Sequence, residues 1–151
     1  MFGPSKSTIW RLGLGLALAV LGPACAPRSG RAADPAEVAR SEASRRLAGT
    51  WILMSFQSEV PLEPMFAGLL SAQFGTMQVQ FDGQQMVATG PGVSTTRRYQ
   101  VTQASDDRLS VVTFDDRGIS YDAVGEFRGE ELYFASLSTP WRGRGVLRRA
   151  R

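Results

Sequence analysis

Few side chains in this 151-residue chain are equipped for chemistry: there is one cysteine, Cys25, and no histidine. Without an imidazole there is no Ser-His-Asp or Cys-His constellation, no histidine general base and no histidine-based zinc site. Carboxylates remain, in three adjacent pairs: Asp106-Asp107, Asp115-Asp116 and Glu130-Glu131. Each pair adjoins a glycine or a basic residue in what reads as a turn, where acids are ordinary solvated turn formers. The glycine-rich stretch Gly90-Pro91-Gly92 lacks the following lysine and helix that a phosphate-cradling loop needs. No catalytic residue, metal site or cofactor is expected, and the chain reads as a non-enzyme.

Cys25 follows an uncharged apolar run of 11 residues, Leu12 to Gly22, which is preceded by Lys6 and Arg11. A bilayer-spanning helix needs about 20 apolar residues, so the run has the length of a cleavable signal's hydrophobic region. The string Leu21-Gly22-Pro23-Ala24-Cys25 resembles the lipobox of bacterial lipoproteins, although Gly22 stands where that motif has a branched apolar residue. The resemblance implies that residues 1–24 are a removed signal peptide and that Cys25 becomes the acylated first residue, a membrane anchor. Ala26 after the cysteine implies sorting to the outer membrane, facing the periplasm. Plain secretion, with cleavage at the small-residue pattern Ala24-Cys25-Ala26, is the alternative, and Pro27 disfavours it.

Charge follows from that processing. The chain has 17 basic and 14 acidic residues; loss of Lys6 and Arg11 leaves 15 basic residues, all arginine. Five of these, Arg142, Arg144, Arg148, Arg149 and Arg151, crowd the last ten residues with no acid among them. Such a cluster suits lipid phosphates, anionic polymers or an acidic partner, or else is the solvated face of a last strand. Nucleic acid is not expected as the partner of an exported protein, and no protein partner can be named.

The elements that would carry these residues divide in two. Residues 25–33 hold no large apolar side chain and read as a flexible tether to a domain spanning 34–151. Asp34 as N-cap, Pro35 at the first helical position and Glu37 three residues after Asp34 start a short helix, which Gly49 can stop. Its apolar face is thin, Val38 and Leu47 with alanines, so the helix should lie on the domain surface. Beyond Thr50 the period changes to two: Met77, Val79 and Phe81 alternate with glutamines, and Tyr99 and Val101 with Arg98, Gln100 and Thr102. Turn signals at Asp82-Gly83, Ser105–Asp107, Asp115–Gly118 and Arg128–Glu131 separate the runs. They delimit strands at 50–57, 76–82, 84–89, 97–104, 108–115, 119–128, 131–138 and 143–150. Connections of about two to five residues make neighbours antiparallel. An all-β, eight-stranded up-and-down meander best protects its edges by closing into a barrel, with a two-sheet sandwich as the alternative.

At the head of this meander stands Leu47-Ala48-Gly49-Thr50-Trp51, and here the chain resembles the lipocalin-like (calycin-type) small barrels, whose first strand opens with Gly-x-Trp after a short helical turn. The resemblance covers residues 47–151 and implies a barrel whose closed end is sealed by an arginine of the last strand stacked over that tryptophan. Arg148 or Arg149 would then lie over Trp51. The chain is shorter than lipocalins proper and lacks their C-terminal helix and disulfide, which argues against a large ligand cavity.

Between the first two strands, Met65, Phe66, Leu69, Leu70 and Phe74 fall at helical spacing after Pro64. As a helical insertion across a barrel mouth they would act either as a lid that meets a small apolar ligand or, slightly favoured, as a plug that fills a short barrel. Trp141, beside Pro140 and Arg142, reads as either an exposed anchor or a cover for one barrel end. Two binding functions follow: a lipocalin-like envelope lipoprotein that binds a small apolar ligand or serves a structural role, and a protein-binding barrel like the periplasmic protease inhibitors, with residues 26–48 entering a partner's cleft.

Overall fold

The computed structural model describes residues 33–151; the expected signal peptide, Cys25 and all but the last residue of the expected tether lie outside the described residues. Helix α1 (Pro35–Leu47) begins where Asp34 Oδ1 accepts from the Ala36 amide at 3.0 Å. Proline at the first position loses only an amide that would have had no helical partner. Its buried residues are Ala43 and Leu47, whereas Val38 is exposed. The small methyl of Ala43 lets the helix lie closer to the barrel than a face led by Val38 would.

Eight strands follow, β1 (Gly49–Ser58), β2 (Gln78–Phe81), β3 (Gln85–Gly90), β4 (Val93–Ser105), β5 (Arg108–Phe114), β6 (Ser120–Arg128), β7 (Glu131–Ser136) and β8 (Gly143–Arg149). Each pairs antiparallel with its sequence neighbour, and β8 returns to pair with β1, so the meander is a closed barrel with no free edge. The expected all-β, up-and-down architecture is therefore the observed one, and the sandwich is not. A second helix, α2 (Pro64–Ser71), occupies the long β1–β2 connection.

Strand boundaries differ most at β4, which begins at Val93, four residues before the expected start. Pro91 and Gly92, the latter at φ 70°, make a tight turn that brings Val93 opposite Gly90, and the hydroxyl-bearing residues after it continue the ladder. At β2 the expected start at residue 76 is near the mark, because Leu53 donates to the Met77 carbonyl at 3.0 Å.

The interior is read off the alternation. Trp51, Leu53, Val79, Phe81, Tyr99, Val101, Phe127, Leu132 and Leu147 are buried. The pairing of β1 with β8 slips between Leu53 and Ser55, a bulge that changes which alternate residue faces in. Beyond it Phe56 stacks on Phe134 at 6.0 Å. Small residues on the later strands make room: a Cβ on Gly145 would sit 2.6 Å from Phe134 Cζ, and one on Gly125 2.9 Å from Leu109 Cδ2 and Leu132 Cδ1.

Candidate functional site

The end of the barrel beside α1 is sealed. Leu47 and Trp51 are each 1 % exposed, and the Trp51 indole donates to the Leu47 carbonyl at 2.7 Å. The Arg149 guanidinium lies 4.5 Å from the Trp51 ring centroid, donates to the Ala48 carbonyl at 3.1 Å and also bonds the Arg46 carbonyl. Those carbonyls belong to the last turn of α1, where helical acceptors run out of amide partners, so one cation closes both the helix and the barrel. Gly49 fits beneath it at φ 118°, with a Cβ there only 3.0 Å from Arg149 Nη1. Arg46 covers the other aromatic of this end, 4.3 Å from the Phe127 centroid, and pairs with Asp107 at 2.9 Å.

Of the two arginines expected over Trp51, Arg149 takes the position and Arg148 does not. Alternation along β8 turns Arg148 outward, where it pairs with Glu131 at 2.8 Å. Three more of the C-terminal arginines lie beside acids: Arg142 and Arg144 share Glu59 at 2.8 and 3.9 Å, and Arg151 reaches Glu130 at 3.7 Å.

The opposite end, beside α2, is built differently. A cavity of about 320 Å³ runs up the barrel from Leu47 to Leu70 and Trp141, walled by apolar side chains that include Leu53, Phe56, Met86 and Phe134. Leu70 borders it, and Phe74 packs against the core. Met65, Phe66 and Leu69 are 66 %, 46 % and 55 % exposed, so they do not fill the barrel, and the plug expectation fails on that packing. What holds α2 in place is polar. Gln73, buried in the turn after the helix, donates through Nε2 to the Leu69 carbonyl at 3.2 Å and to Pro91 at 3.0 Å, joining α2 to the β3–β4 hairpin. Trp141 borders the cavity and is 45 % exposed.

Polar groups gather at this rim. Arg97, Thr113, Tyr121 and Ser136 border the cavity, with the Arg97 guanidinium 4.4 Å from the Tyr121 ring centroid. Tyr121 donates to Asp115 Oδ2 at 3.2 Å, while Asp115 Oδ1 accepts from the Arg117 and Ile119 amides at 3.0 and 2.8 Å. Desolvation pushes the Asp115 carboxyl up, but the Ile119 amide, the Tyr121 hydroxyl and the Arg117 amide together hold it below the usual aspartate value. Asp115 is thus a turn former, as the acid pairs were read. Glu131 is held low by Arg148 and then by Tyr133, again as part of the wall. Among the described residues no group of three or more Cys, Asp or Glu side chains is placed to hold a metal ion.

Arg97 went unremarked in the sequence, although the alternation that places Tyr99 and Val101 inside extends back to it. Gln73 carried no such signal, since its partner Pro91 lies on a different hairpin. A wider depression of about 530 Å³ marks the outer wall, bordered by Val124, Tyr133 and Arg144. It is an open saddle on the strands' outward side, without an enclosed floor.

Comparison of the chain with protein-family models, with curated proteins and with solved structures gives no match.

Proposed function

We propose that this protein is an exported cell-envelope lipoprotein, anchored to the outer membrane through Cys25 and facing the periplasm, whose lipocalin-like barrel binds a small apolar ligand. The observation that carries the binding reading is the apolar cavity of about 320 Å³ bordered by Leu70 and Trp141. A concave apolar space with a few polar groups at one end is the usual form of a small-molecule site. Residues 34–48 support the same reading against the inhibitor-like alternative, since Ala43 and Leu47 are buried against the barrel and are not free to enter a partner's cleft.

Titration of the full chain with the apolar dye N-phenyl-1-naphthylamine tests the cavity. Ala123 is half-buried on the inward register of β6 and borders the cavity, so Ala123→Leu fills part of that space. The expected result is saturable dye binding that weakens about ten-fold in the variant, or ~1.4 kcal/mol. Equal binding by both proteins would place the dye elsewhere and end the reading. The anchor is tested by metabolic labelling with a radioactive fatty acid, which should mark the wild type and not Cys25→Ser.

A further inference from the structure

We infer that the α2 end of the barrel is a lipid-docking surface, whose apolar loop tips enter the interface of a membrane without help from lipid charge. The choice of lipid as occupant rests on the proposed envelope anchoring; the surface itself rests on where the connections fall. Strand β1 runs away from the sealed end, so the β1–β2 connection lies at the other one. There Gly90 pairs with Val93, Phe114 with Ser120 and Ser136 with Gly143, which brings the β3–β4, β5–β6 and β7–β8 turns beside it. The remaining three turns fall at the sealed end.

Each of the four α2-end connections presents exposed large apolar side chains. Met65, Phe66 and Leu69 stand on the first, and Val93 directly follows the second. Ile119 belongs to the third, Leu137 and Trp141 to the fourth. Among the described residues the sealed-end turns present none, being Asp82-Gly83-Gln84, Asp106-Asp107 and Gly129-Glu130. Single apolar groups scattered over a surface need no explanation, but their collection at one end marks an interaction face. Helix α2 buries no residue and, from Pro64 to Ser71, contains no charged one. An apolar helix that no layer of protein covers finds its missing apolar phase at a bilayer interface. Trp141 beside Arg142 joins an apolar ring to a polar neighbour, the chemistry of headgroup depth.

Charge decides the kind of lipid. The connections, residues 59–77, 91–92, 115–119 and 137–142, hold four acids, Glu59, Glu63, Asp115 and Asp116, and two arginines, Arg117 and Arg142. Arg142 pairs with Glu59 at 2.8 Å, and Arg117 lies 4.0 Å from Asp115. Such an end gains nothing from an anionic leaflet, so apolar burial drives its insertion. Reach decides lipid over a freely diffusing partner. Eight residue steps separate Cys25 from Ala33, where the described chain begins, and span at most about 29 Å. Strand β6, with nine residues, is about 30 Å long, and strands tilted in a barrel make it shorter than that. An acylated Cys25 therefore lets the α2 end meet the same membrane, at high effective concentration.

Position-specific labels test the surface. In the full chain carrying Cys25→Ser, the single substitutions Phe66→Cys, Ile119→Cys, Leu137→Cys and, at the sealed end, Glu130→Cys each take the environment-sensitive dye NBD. The run Leu12–Gly22 can bind lipid on its own, so the label, and not vesicle binding, is the readout. With dioleoyl phosphatidylcholine vesicles the three α2-end labels should shift to the blue and brighten at least about two-fold, and the Glu130→Cys label should not change. Replacing a third of the lipid by phosphatidylglycerol, or adding 0.5 M salt, should move the vesicle concentration at half-effect by less than about three-fold. Silent α2-end labels on sedimented vesicles, an equal response at Glu130→Cys, or no vesicle binding at all would overturn the surface. Labels that turn blue without lipid as protein concentration rises would assign the face to a second copy and overturn the lipid. A ten-fold gain with phosphatidylglycerol would overturn the apolar basis. Three separate loops keep the test decisive if one variant misfolds. Failure here leaves dye binding in the cavity and acylation of Cys25 standing, whereas responsive labels in a chain that takes up no fatty acid would remove the anchor and keep the surface.

Discussion

The two ends of this barrel are made of the same strands and hold opposite kinds of surface. At the α1 end every large side chain meets another: Trp51 packs against Phe127 at 6.2 Å and under Arg149, and its indole is bonded to the helix above. At the α2 end the helix keeps Met65, Phe66 and Leu69 in solvent and leaves a cavity below Leu70. The α1 end therefore holds the stability of the fold, because burial and satisfied polar groups coincide there. At the α2 end apolar surface is kept out of the core, a cost in stability that binding can offset.

The sharpest way to break that comparison is Trp51→Ala. Removing the ring leaves a void beneath Arg149 and deprives the Leu47 carbonyl of its donor, so the loss should reach about 3–5 kcal/mol. Denaturant unfolding followed by circular dichroism measures it, and a loss below about 1.5 kcal/mol would mean that the seal is not a stability centre. Next in size comes the pair Arg149→Met and Arg148→Met. The first removes a stacked cation and two bonds to helix-terminal carbonyls, which should cost about 2–4 kcal/mol. The second removes an exposed ion pair with Glu131 and should cost at most about 1 kcal/mol. Equal losses would mean that the charge on β8 matters and its position does not.

How much of this was legible beforehand differs between the same two ends. Gly49, Trp51 and a basic residue near the C-terminus announced the sealed end. The choice of Arg149 over Arg148 still required the register, because one residue along a strand changes the face. Helix α1 was legible from Asp34 and Pro35, and Leu47 of its expected apolar face is buried, but Val38 is exposed; a weakly apolar helix gives little phase information, and Ala43 is as silent as any alanine. The hairpin turns were legible because their acids bond the turn amides locally, as Asp82 does with Gln84 and Gln85 at 2.9 and 2.6 Å. The cavity was not legible. It is bordered by Leu53, Phe81, Val111, Ala123 and Leu147 among others, residues of strands far apart in sequence. The exposure of Met65, Phe66 and Leu69 was hidden for a related reason: helical spacing shows that an apolar face exists, and what covers that face is decided elsewhere.

That exposure sets the next test, of opposite sign in its expectation. Met65→Ser with Leu69→Ser exchanges large apolar groups for hydroxyls on the solvent side of α2. Stability should move by no more than about 0.5 kcal/mol per site, the range of surface substitutions. A loss above about 2 kcal/mol for the double variant would show that these side chains reach the core, and the contrast between the ends would weaken accordingly.

The smallest effect should not distinguish the ends at all. Asp82 turns β2 into β3 at the sealed end, and Asp115 turns β5 into β6 at the cavity end. The Gln85 and Gln84 amides hold Asp82 below the usual 3.8, and Asp115 is held below it too, where amide and hydroxyl bonds outweigh desolvation. A carboxyl whose folded value lies below its unfolded one binds protons more readily when the chain is unfolded. Its contribution is therefore fully present above pH 3.8 and is lost as pH falls through the lower folded value. Melting temperature should accordingly fall on acidification below about pH 4. Asp82→Asn and Asp115→Asn, which keep an acceptor oxygen and remove the proton site, should each flatten that fall by a similar amount. If only one of them does, the turn bonds at the two ends are unequal, and the asymmetry of the barrel extends from its packing into its charge.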